Sequence, residues 1–393
     1  MAVSLTGSDP DVISDSLDEL VRGHLLTPTG GGRYVLHDLV RDYAGEISGR
    51  MDREAALHRV LDDYVHSAHR ADTVLGTTRW QPPSPARDGV RPETIDTKAQ
   101  AVSWFETHRD SISAVIDASA DTDHQATWRI AASVANFLSR SGYRRQPLEM
   151  LHVGLSAAMK ADETATAECH RLLGRAYAVA GEFPPPHEHL STALATFAAV
   201  ADTAGLAIAN RNLAWLFEQE GEDAMSLLHN TRALDLYNER SEPRGQALAL
   251  NAIGWDHARM ASYDLALSYC GQAIDVLEDL DDHLGVAVTL DSLGYIHHRR
   301  GDHARAIACY GRSLALLPDP HDRYNRAEVL DQLGDAHFAN HDRAAAAEAW
   351  LAAADLLREL DHPDLHAVLR KLAGAAAHAA APQSRHKRAA THR

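Results

Sequence analysis

The stretch QALALNAIGWDHARM (residues 246–260), followed after a short turn by YDLALSYCGQAI (residues 263–274), predicts two helices packed as a hairpin. The second segment places small and apolar residues at steps of three and four, so these share one face: Ala266, Cys270, Ala273 and Ile274. In the first segment Gly254 has no side chain, so a neighbouring helix can approach it closely. Further on, Gly285 is expected to let the chain turn into the next unit.

The same pattern returns every 40 residues through the second half of the chain. The first series of small residues is Gly174, Ala214, Gly254, Gly294, Gly334 and Gly374. The second series follows it and consists of Gly181, Gly221, Ala261, Gly301 and His341. The third is Ala193, Ala233, Ala273, Ser313 and Ala353. Three series in one phase predict an all-α helical repeat array, an architecture that usually binds partners rather than catalysing reactions.

These units resemble the tetratricopeptide repeat, which combines Leu-Gly in its first helix with alanines and an aromatic residue in its second. The matching residues are Leu173-Gly174 with Tyr177, Leu293-Gly294 with Ala306 and Tyr310, and Leu333-Gly334 with Ala346, Trp350 and Ala353. The family period is about 34 residues, so a 40-residue unit implies longer helices or longer connections. HEAT and armadillo repeats have about this length but not this register. The resemblance implies hairpins stacked in a right-handed superhelix.

The chain divides into four predicted parts. Residues 1–50 form a partial winged-helix domain, and residues 51–130 form a helical linker with a proline-rich loop at 80–92. Residues 131–380 hold the repeat array, with about six hairpins and a capping helix. Residues 381–393 are expected to be a disordered basic tail. We place a hinge at the proline-rich loop.

The first helices of stacked hairpins line the concave side of such an array, which predicts a partner-binding groove. We call the residue of the first series the marker of its repeat. Residues three positions before the marker form one inward column: Arg171, Arg211, Asn251, Asp291 and Asp331. Residues one after it form another: Arg175, Trp215, Trp255, Tyr295 and Asp335. Asn212 and Arg259 complete the predicted groove. A protein, peptide or acidic small molecule could place carboxylates on the arginines and apolar groups on the tryptophans. The alternative is that these polar residues are merely solvated and the tryptophans are structural.

Composition limits the classes of partner. The 393 residues carry 55 acids against 38 bases, for a formal charge of −17, which argues against nucleic-acid binding. Three cysteines without a CxxC pair indicate a reducing compartment. We expect no signal peptide, and no apolar run approaches the roughly 18 residues of a membrane span. A cytoplasmic location is the resulting expectation.

Near the start, a helical pattern from Val12 to Leu26 is followed by the turn TPTGGG (residues 27–32) and by RYVLHDLVRDYA (residues 33–44). Because RYVL reads as a short strand before a second helical pattern, we predict a helix, a small glycine-containing β-hairpin and another helix. This segment resembles the end of the winged-helix domain in actinobacterial signal-transduction ATPases of the NB-ARC type, which include the Streptomyces antibiotic regulatory proteins. In that family a helical linker and tetratricopeptide repeats follow, and Trp104-Phe105-Glu106 resembles that linker. The resemblance implies that His37 senses nucleotide phosphates and that Asp38 holds the local structure.

The chain departs from a full regulator of that family because it contains no GxxxxGK[ST] phosphate loop. We therefore expect no cofactor in this chain, and ADP or ATP only with a separate, upstream nucleotide-binding domain. The expectation is a C-terminal portion of such a regulator, or a stand-alone descendant. From Asp9 to Arg50 there are eight acids and four bases, a net −4, so we predict a packing module rather than a DNA reader.

Motifs for chemistry are absent from the sequence. The densest histidine groups, around His187-Glu188-His189 and His297-His298, have neither HExxH nor zinc-finger spacing. No GxSxG elbow occurs, so we predict no enzyme, no catalytic residue and no metal site. The leading hypothesis is a sensor and scaffold of a nucleotide-dependent regulator. The alternative is a stand-alone peptide-pheromone receptor or a protein-interaction adaptor.

Overall fold

The structure is a computed structural model that describes residues 2–380 apart from 31–32, 37, 48–49, 77–78, 142, 144, 183–184, 318–322 and 361. The chain separates into two compact units, unit 1 (Met1–Thr196) and unit 2 (Phe197–Arg393). The predicted all-α class with one small antiparallel hairpin is confirmed. The four predicted domain boundaries stay a prediction.

Unit 1 begins with a helix–hairpin–helix segment. Its elements are α1 (Ala2–Thr6), α2 (Pro10–Arg22), β1 (Leu26–Gly30), β2 (Arg33–Leu36) and α3 (Asp38–Ile47). Asp9 caps α2 by accepting a hydrogen bond from the amide of Asp11 at 3.0 Å. The helix α2 was expected to reach Leu26. It ends at Arg22, because Leu26 pairs with Leu36 in the hairpin.

The rest of unit 1 stacks helices against one another. They are α4 (Arg50–Val74), α5 (Lys98–Ser119), α6 (His124–Arg140), α7 (Gln146–Ala161), α8 (Glu163–Ala180) and α9 (Pro185–Ala199), whose last residues fall in unit 2. Thr97 and Gln100 form a reciprocal capping box that starts α5. Tyr64, Phe105 and Ile112 are fully buried where α4 and α5 meet.

Residues 79–97, which connect α4 to α5, lie along α4, and we call them the strap. Its backbone bonds to side chains: the amide of Arg87 donates to Asp62 at 2.7 Å and that of Glu93 to Ser67 at 3.0 Å. Arg70 donates to the carbonyl of Ile95 at 2.8 Å. Proline has no backbone N–H to donate, which limits regular pairing within the segment, and side chains of α4 bond to several of its remaining backbone groups instead. The contacts tie the strap to α4, and the hinge expected at this loop stays a prediction.

Unit 2 continues the helical pairs. They are α10 (Thr203–Glu220), α11 (Asp223–Glu239), α12 (Pro243–Arg259), α13 (Tyr263–Asp279), α14 (His283–Arg299), α15 (His303–Leu316), α16 (Arg323–Ala339) and α17 (Arg343–Glu359), followed by α18 (Leu365–Ala380). We call the first helix of each pair the A helix and the second the B helix.

The marker glycines lie where a B helix crosses its A helix. A Cβ added at Gly254 would lie 2.5 Å from Cys270 Sγ, and one at Gly294 would lie 2.5 Å from the Tyr310 ring. Both gaps are far below van der Waals contact, so the close approach predicted from the sequence is present. The 40-residue repeat therefore reflects one packing contact made again in each hairpin.

The second series marks the turn between the two helices of a hairpin. All of its members have left-handed backbone: Gly181, Gly221, Ala261, Gly301 and His341. A left-handed residue just after a helix turns the chain so that the N–H groups of this residue and the next donate to the last carbonyls of the helix. Ala261, with φ of 59°, and His341, with φ of 66°, adopt this conformation with a Cβ and so at a cost in strain.

A further glycine series went unnoticed in the sequence. Gly205, Gly245 and Gly285 are also 40 residues apart, and each lies in the first turn of an A helix. A Cβ there would lie 2.4 Å from the Phe197 ring, 2.3 Å from the Tyr237 ring and 2.6 Å from Leu277, respectively. The expectation that Gly285 makes a turn is wrong, because it lies inside α14, where Asp282 caps its amide at 3.0 Å.

Candidate ligand-binding faces of the A helices

The predicted columns of unit 2 join consecutive A helices through side-chain contacts. The indole of Trp255 on α12 donates to Glu218 Oε1 on α10 at 2.7 Å. On its other side, the Trp255 ring lies 4.7 Å from the ring of Tyr295 on α14. The three side chains thus form one surface across α10, α12 and α14, which we call the unit 2 A-helix face.

Arg259 extends this surface towards the end of α10. Its Nε donates to Asp223 Oδ1 at 2.6 Å, and its Nη2 donates to the carbonyl of Glu218 at 3.4 Å. Burial raises the pKa of Glu218, and the hydrogen bond from Trp255 opposes that rise. Arg259 therefore makes internal contacts beside Trp255 and Tyr295.

The far part of the face is acidic. Burial raises the pKa of Asp291 to about 8, with the Glu328 charge adding to it and a hydrogen bond from Gln332 opposing it. Lys371 Nζ bridges Asp331 Oδ2 at 2.7 Å and Asp335 Oδ2 at 2.8 Å. Oδ1 of Asp291 and Oδ1 of Asp331 are buried and accept no hydrogen bond from the described residues. These two oxygens could accept from a ligand.

The near part of the face, on α10, presents donors instead. Arg211 Nε and Asn212 Nδ2 are buried, and neither has a hydrogen-bond partner in the described part of the chain. Trp215 is half-buried on the same helix. Asn251 on α12 is buried and accepts from Cys270 Sγ at 3.6 Å, which ties it to the hairpin interior. Arg211, Asn251 and Asp291 lie on α10, α12 and α14 in that order, and their role as a ligand-binding column stays a prediction.

The two arginines of unit 1 that were predicted to line the groove, Arg171 and Arg175, differ in burial. Arg171 is only 5% exposed and donates from Nε to Glu168 Oε2 at 2.9 Å. Arg79, in the strap, donates to the same oxygen at 2.8 Å. Burial acts to raise the pKa of Glu168, but Arg171 and Arg79 outweigh it and hold the pKa at about 2. Arg175 is half-buried on the same helix. The role of Arg171 and Arg175 in ligand contact stays a prediction.

The sequence reasoning missed Trp80. Its ring lies 4.3 Å from that of His69 on α4 and 6.3 Å from that of Trp128 on α6. The guanidinium of Arg129 lies 5.2 Å from the Trp80 ring centre. A tryptophan beside an arginine in an otherwise polar, proline-rich stretch was the available signal for a docked segment.

The nucleotide-sensing pair implied by the resemblance is only half visible. His37 lies outside the described residues. Asp38 begins α3, is exposed, and pairs with Arg41 at 3.2 Å. The structural role of Asp38 and nucleotide sensing by either residue both stay predictions.

In the described ranges, no three His, Cys, Asp or Glu side chains are placed so that they could hold a metal ion. His170 and His189 place their Nδ1 atoms 2.8 Å apart, and burial, aided by His170 and His152, lowers the pKa of His189 to about 4. Burial raises the pKa of Cys270 to about 12, which keeps its thiol protonated and unreactive at neutral pH.

Comparison with known proteins agrees with the repeat assignment. A family model of the tetratricopeptide repeat matches residues 245–319. The regulatory protein AfsR of Streptomyces griseus is 28% identical over 238 residues, which are 57% of this chain and 24% of that protein. The chain thus spans about a quarter of this relative. No helix among the described residues is long and apolar enough to cross a membrane.

Two solved structures share the fold. One is a STAND signal-transduction ATPase with a tetratricopeptide-repeat sensor from Pyrococcus horikoshii, with a TM-score of 0.50 and 14% identity over 96% of this chain and 57% of that one. The other is a Rap protein in complex with competence and sporulation factor, with a TM-score of 0.53 and 12% identity over 86% of this chain and 90% of that one. The repeat match, the AfsR relative and the shared fold confirm the resemblance drawn from the sequence.

Proposed function

We propose that this chain, a tetratricopeptide-repeat portion of an AfsR-like, STAND-type regulator, is a non-catalytic sensor that binds a protein or peptide on its A-helix faces. The observation that carries the proposal is the contact of Trp255 with Glu218 and Tyr295. It makes one surface from three consecutive A helices, with aromatic area that a partner can cover at low entropic cost. A surface that runs across successive helices suits an extended peptide.

The polar groups of unit 2 specify the chemistry of that peptide. Arg211 and Asn212 offer unpaired donors on α10, which suit a carboxylate or a carbonyl. Asp291 offers an unpaired acceptor on α14, and we infer that it receives a lysine, arginine or amino group. The peptide would therefore be polar at both ends of the site, acidic towards α10 and basic towards α14, with an apolar residue on Trp255.

The partial winged-helix segment (residues 1–50), which we call the half-wing, would pass the bound state to a nucleotide-binding domain. Its surface favours packing, since α2 buries no side chain and Leu39 is 73% exposed. We propose that any ADP or ATP belongs to such a separate domain and that the chain itself uses no cofactor in the cytoplasm. His37 and Asp38 would then face the nucleotide only in that assembly.

A stand-alone peptide receptor or an interaction adaptor is the second candidate, and the fold shared with a peptide-bound Rap protein favours it. Both candidates require the same A-helix face. They differ in the half-wing: a regulator needs a nucleotide-binding domain to cover it, whereas a peptide receptor does not. Adding a purified candidate ATPase domain to the chain and measuring association by sedimentation separates the two.

The test of the proposed site uses a random phage-displayed peptide library selected on the full chain. We expect enriched peptides to share an acidic residue, an apolar residue and a basic residue. Trp255→Ala should weaken their binding about thirtyfold, the loss typical of an interface hot spot. Leu265→Ala, on the exposed side of α13, is the matched control and should bind normally. Equal binding by both variants would refute the proposed site.

A further inference from the structure

We propose that Arg79 and Trp80 of the strap are an internal ligand of unit 1. They occupy a site formed by α4, α6 and α8, and a partner peptide that presents an arginine followed by an aromatic residue displaces them. The inference goes beyond the proposed function, because the peptide site of that proposal lies in unit 2. It shares with it only the premise that A-helix faces accept peptides.

The receptor side of the site consists of side chains from three helices. His69 belongs to α4, Trp128 and Arg129 to α6, and Glu168 to α8. These helices pack side by side, with α6 in contact with both α4 and α8. Glu168 is one helical turn before Arg171, a residue of the predicted inward column. The strap therefore lies on the surface where the sequence predicted a ligand.

Arg79 occupies the place of a ligand cation. Glu168 already has an arginine from its own helix, Arg171, which is enough to neutralise its charge. The second arginine comes from 89 positions away along the chain and bonds to Oε2 at 2.8 Å. Both partners are largely buried, with side chains 14% and 7% exposed. A buried, charge-assisted hydrogen bond of this kind selects for arginine.

Trp80 occupies an aromatic slot that it satisfies incompletely. Its ring contacts His69, Trp128 and Arg129. Yet Trp80 Nε1, His69 Nδ1 and Arg129 Nε are all buried and have no hydrogen-bond partner among the described residues. Each unpaired buried polar atom costs about 1–3 kcal/mol. A partner that brings an acceptor to this slot recovers part of that cost, so the strap is replaceable there.

The strap stays attached when its tip leaves. Its later part, residues 87–95, is held by hydrogen bonds of its backbone to the side chains of Asp62, Ser67, Arg70 and Ser4. Short tethers give a local concentration in the millimolar range. The tip therefore competes with any free peptide, and a partner must overcome this competition to bind.

The experiment measures binding of a fluorescent, N-acetylated peptide, Arg-Trp-Gln-Pro-Pro, to the full chain by anisotropy. The double variant Arg79→Ala/Trp80→Ala empties the site and should bind the peptide about tenfold or more tightly than the parent chain. Adding Glu168→Gln to the double variant should abolish that gain. Arg87→Ala is the matched strap control, since its backbone rather than its side chain bonds to Asp62, and it should bind as the parent does.

A second measurement covers the case in which the double variant does not fold. The parent chain is labelled with 5-fluorotryptophan, and the Trp80 resonance is assigned with Trp80→Phe. Millimolar peptide should move that resonance towards the position of an exposed tryptophan. An unchanged resonance, or equal peptide affinity in a folded double variant and the parent, overturns the internal-ligand proposal. Neither readout involves Trp255, so failure here leaves the unit 2 test unaffected.

Discussion

Trp255 and Glu218 lie 37 positions apart in the chain, yet the indole N–H of one donates to the carboxylate of the other at 2.7 Å. The separation is close to one repeat, so the bond joins matching faces of neighbouring A helices. Trp255 also contacts Tyr295, 40 residues further on. A surface made by repetition in this way is continuous, and continuity is what an extended peptide requires.

Substituting two glycines, one in a contact and one exposed, tests the packing register. Gly294→Ala places a Cβ 2.5 Å from Tyr310 and should destabilise the fold by about 1–3 kcal/mol. Gly311→Ala lies in the exposed middle of α15 with open space around it, so it should stabilise by about 0.5–1 kcal/mol. Urea unfolding of both variants measures the difference, and effects of the same sign would contradict the assigned contacts.

Ala261 provides a separate test at the turn. Its φ of 59° is strained for a residue with a Cβ, whereas Gly221 and Gly301 occupy the matching turns. Ala261→Gly should therefore stabilise the chain by about 0.5–1 kcal/mol, even though glycine adds entropy to the unfolded chain. Thermal unfolding reports the change. A lower melting temperature would show that strain at this turn is absent.

Asp256 predicts a pH dependence of stability. It is 1% exposed and accepts from Ser226 Oγ and Asn230 Nδ2, both at 2.7 Å. Burial raises its pKa to about 6, with Glu218 and Asp223 adding to that rise and the two hydrogen bonds opposing it. As pH rises, the carboxyl ionises in the unfolded chain before it ionises in the fold. Burial of Asp256 therefore has no effect on stability below the unfolded pKa near 4. Above pH 6 it lowers the free energy of unfolding by about 3 kcal/mol.

Asp256→Asn removes that cost while retaining an acceptor for Asn230. The free energy of unfolding of the variant, measured against the parent chain, should rise between pH 4 and pH 7. Ser226→Ala is a control that removes one hydrogen bond and keeps the ionisable group. A difference between Asn variant and parent that stays constant from pH 4 to pH 7 would exclude the burial of an ionisable carboxyl here.

Asp291 should make recognition of a basic peptide pH-dependent. Its raised pKa of about 8 means that it is largely protonated at pH 7, beside Glu328 and Gln332. A bound cation favours the ionised form, so affinity should rise about fivefold between pH 7 and pH 9. Asp291→Asn should flatten this rise, as measured by anisotropy with a basic peptide selected on the full chain. An unchanged profile in the variant would remove Asp291 from the site.

The repeat, its phase and its close contacts were predictable because they follow from local periodicity and from residues without side chains. Gly254 and Ala261 are examples, since the equivalent position in the other units has the same structural role. Gly205 and its equivalents had the same signal but were overlooked, and Gly285 was assigned to a turn because it follows the acidic end of a helix. Local patterns therefore predict most of the array.

The docked strap was not predictable in this way. The bond between Arg79 and Glu168 joins residues 89 positions apart, and no periodic pattern links them. Arg171, a good candidate for ligand contact from its column, is buried in a separate ion pair with the same carboxylate. Prolines around Trp80 indicated a linker, whereas side chains of α1 and α4 satisfy its backbone.

The most direct measurement of the central claim is photocrosslinking of a peptide selected on the full chain, with benzophenone in place of its apolar residue. Mass spectrometry then locates the attachment. We predict crosslinks to α10, α12 and α14 around Trp255 and Tyr295, lost in the presence of excess unlabelled peptide. Crosslinks confined to the B helices α11, α13 and α15 would contradict the account.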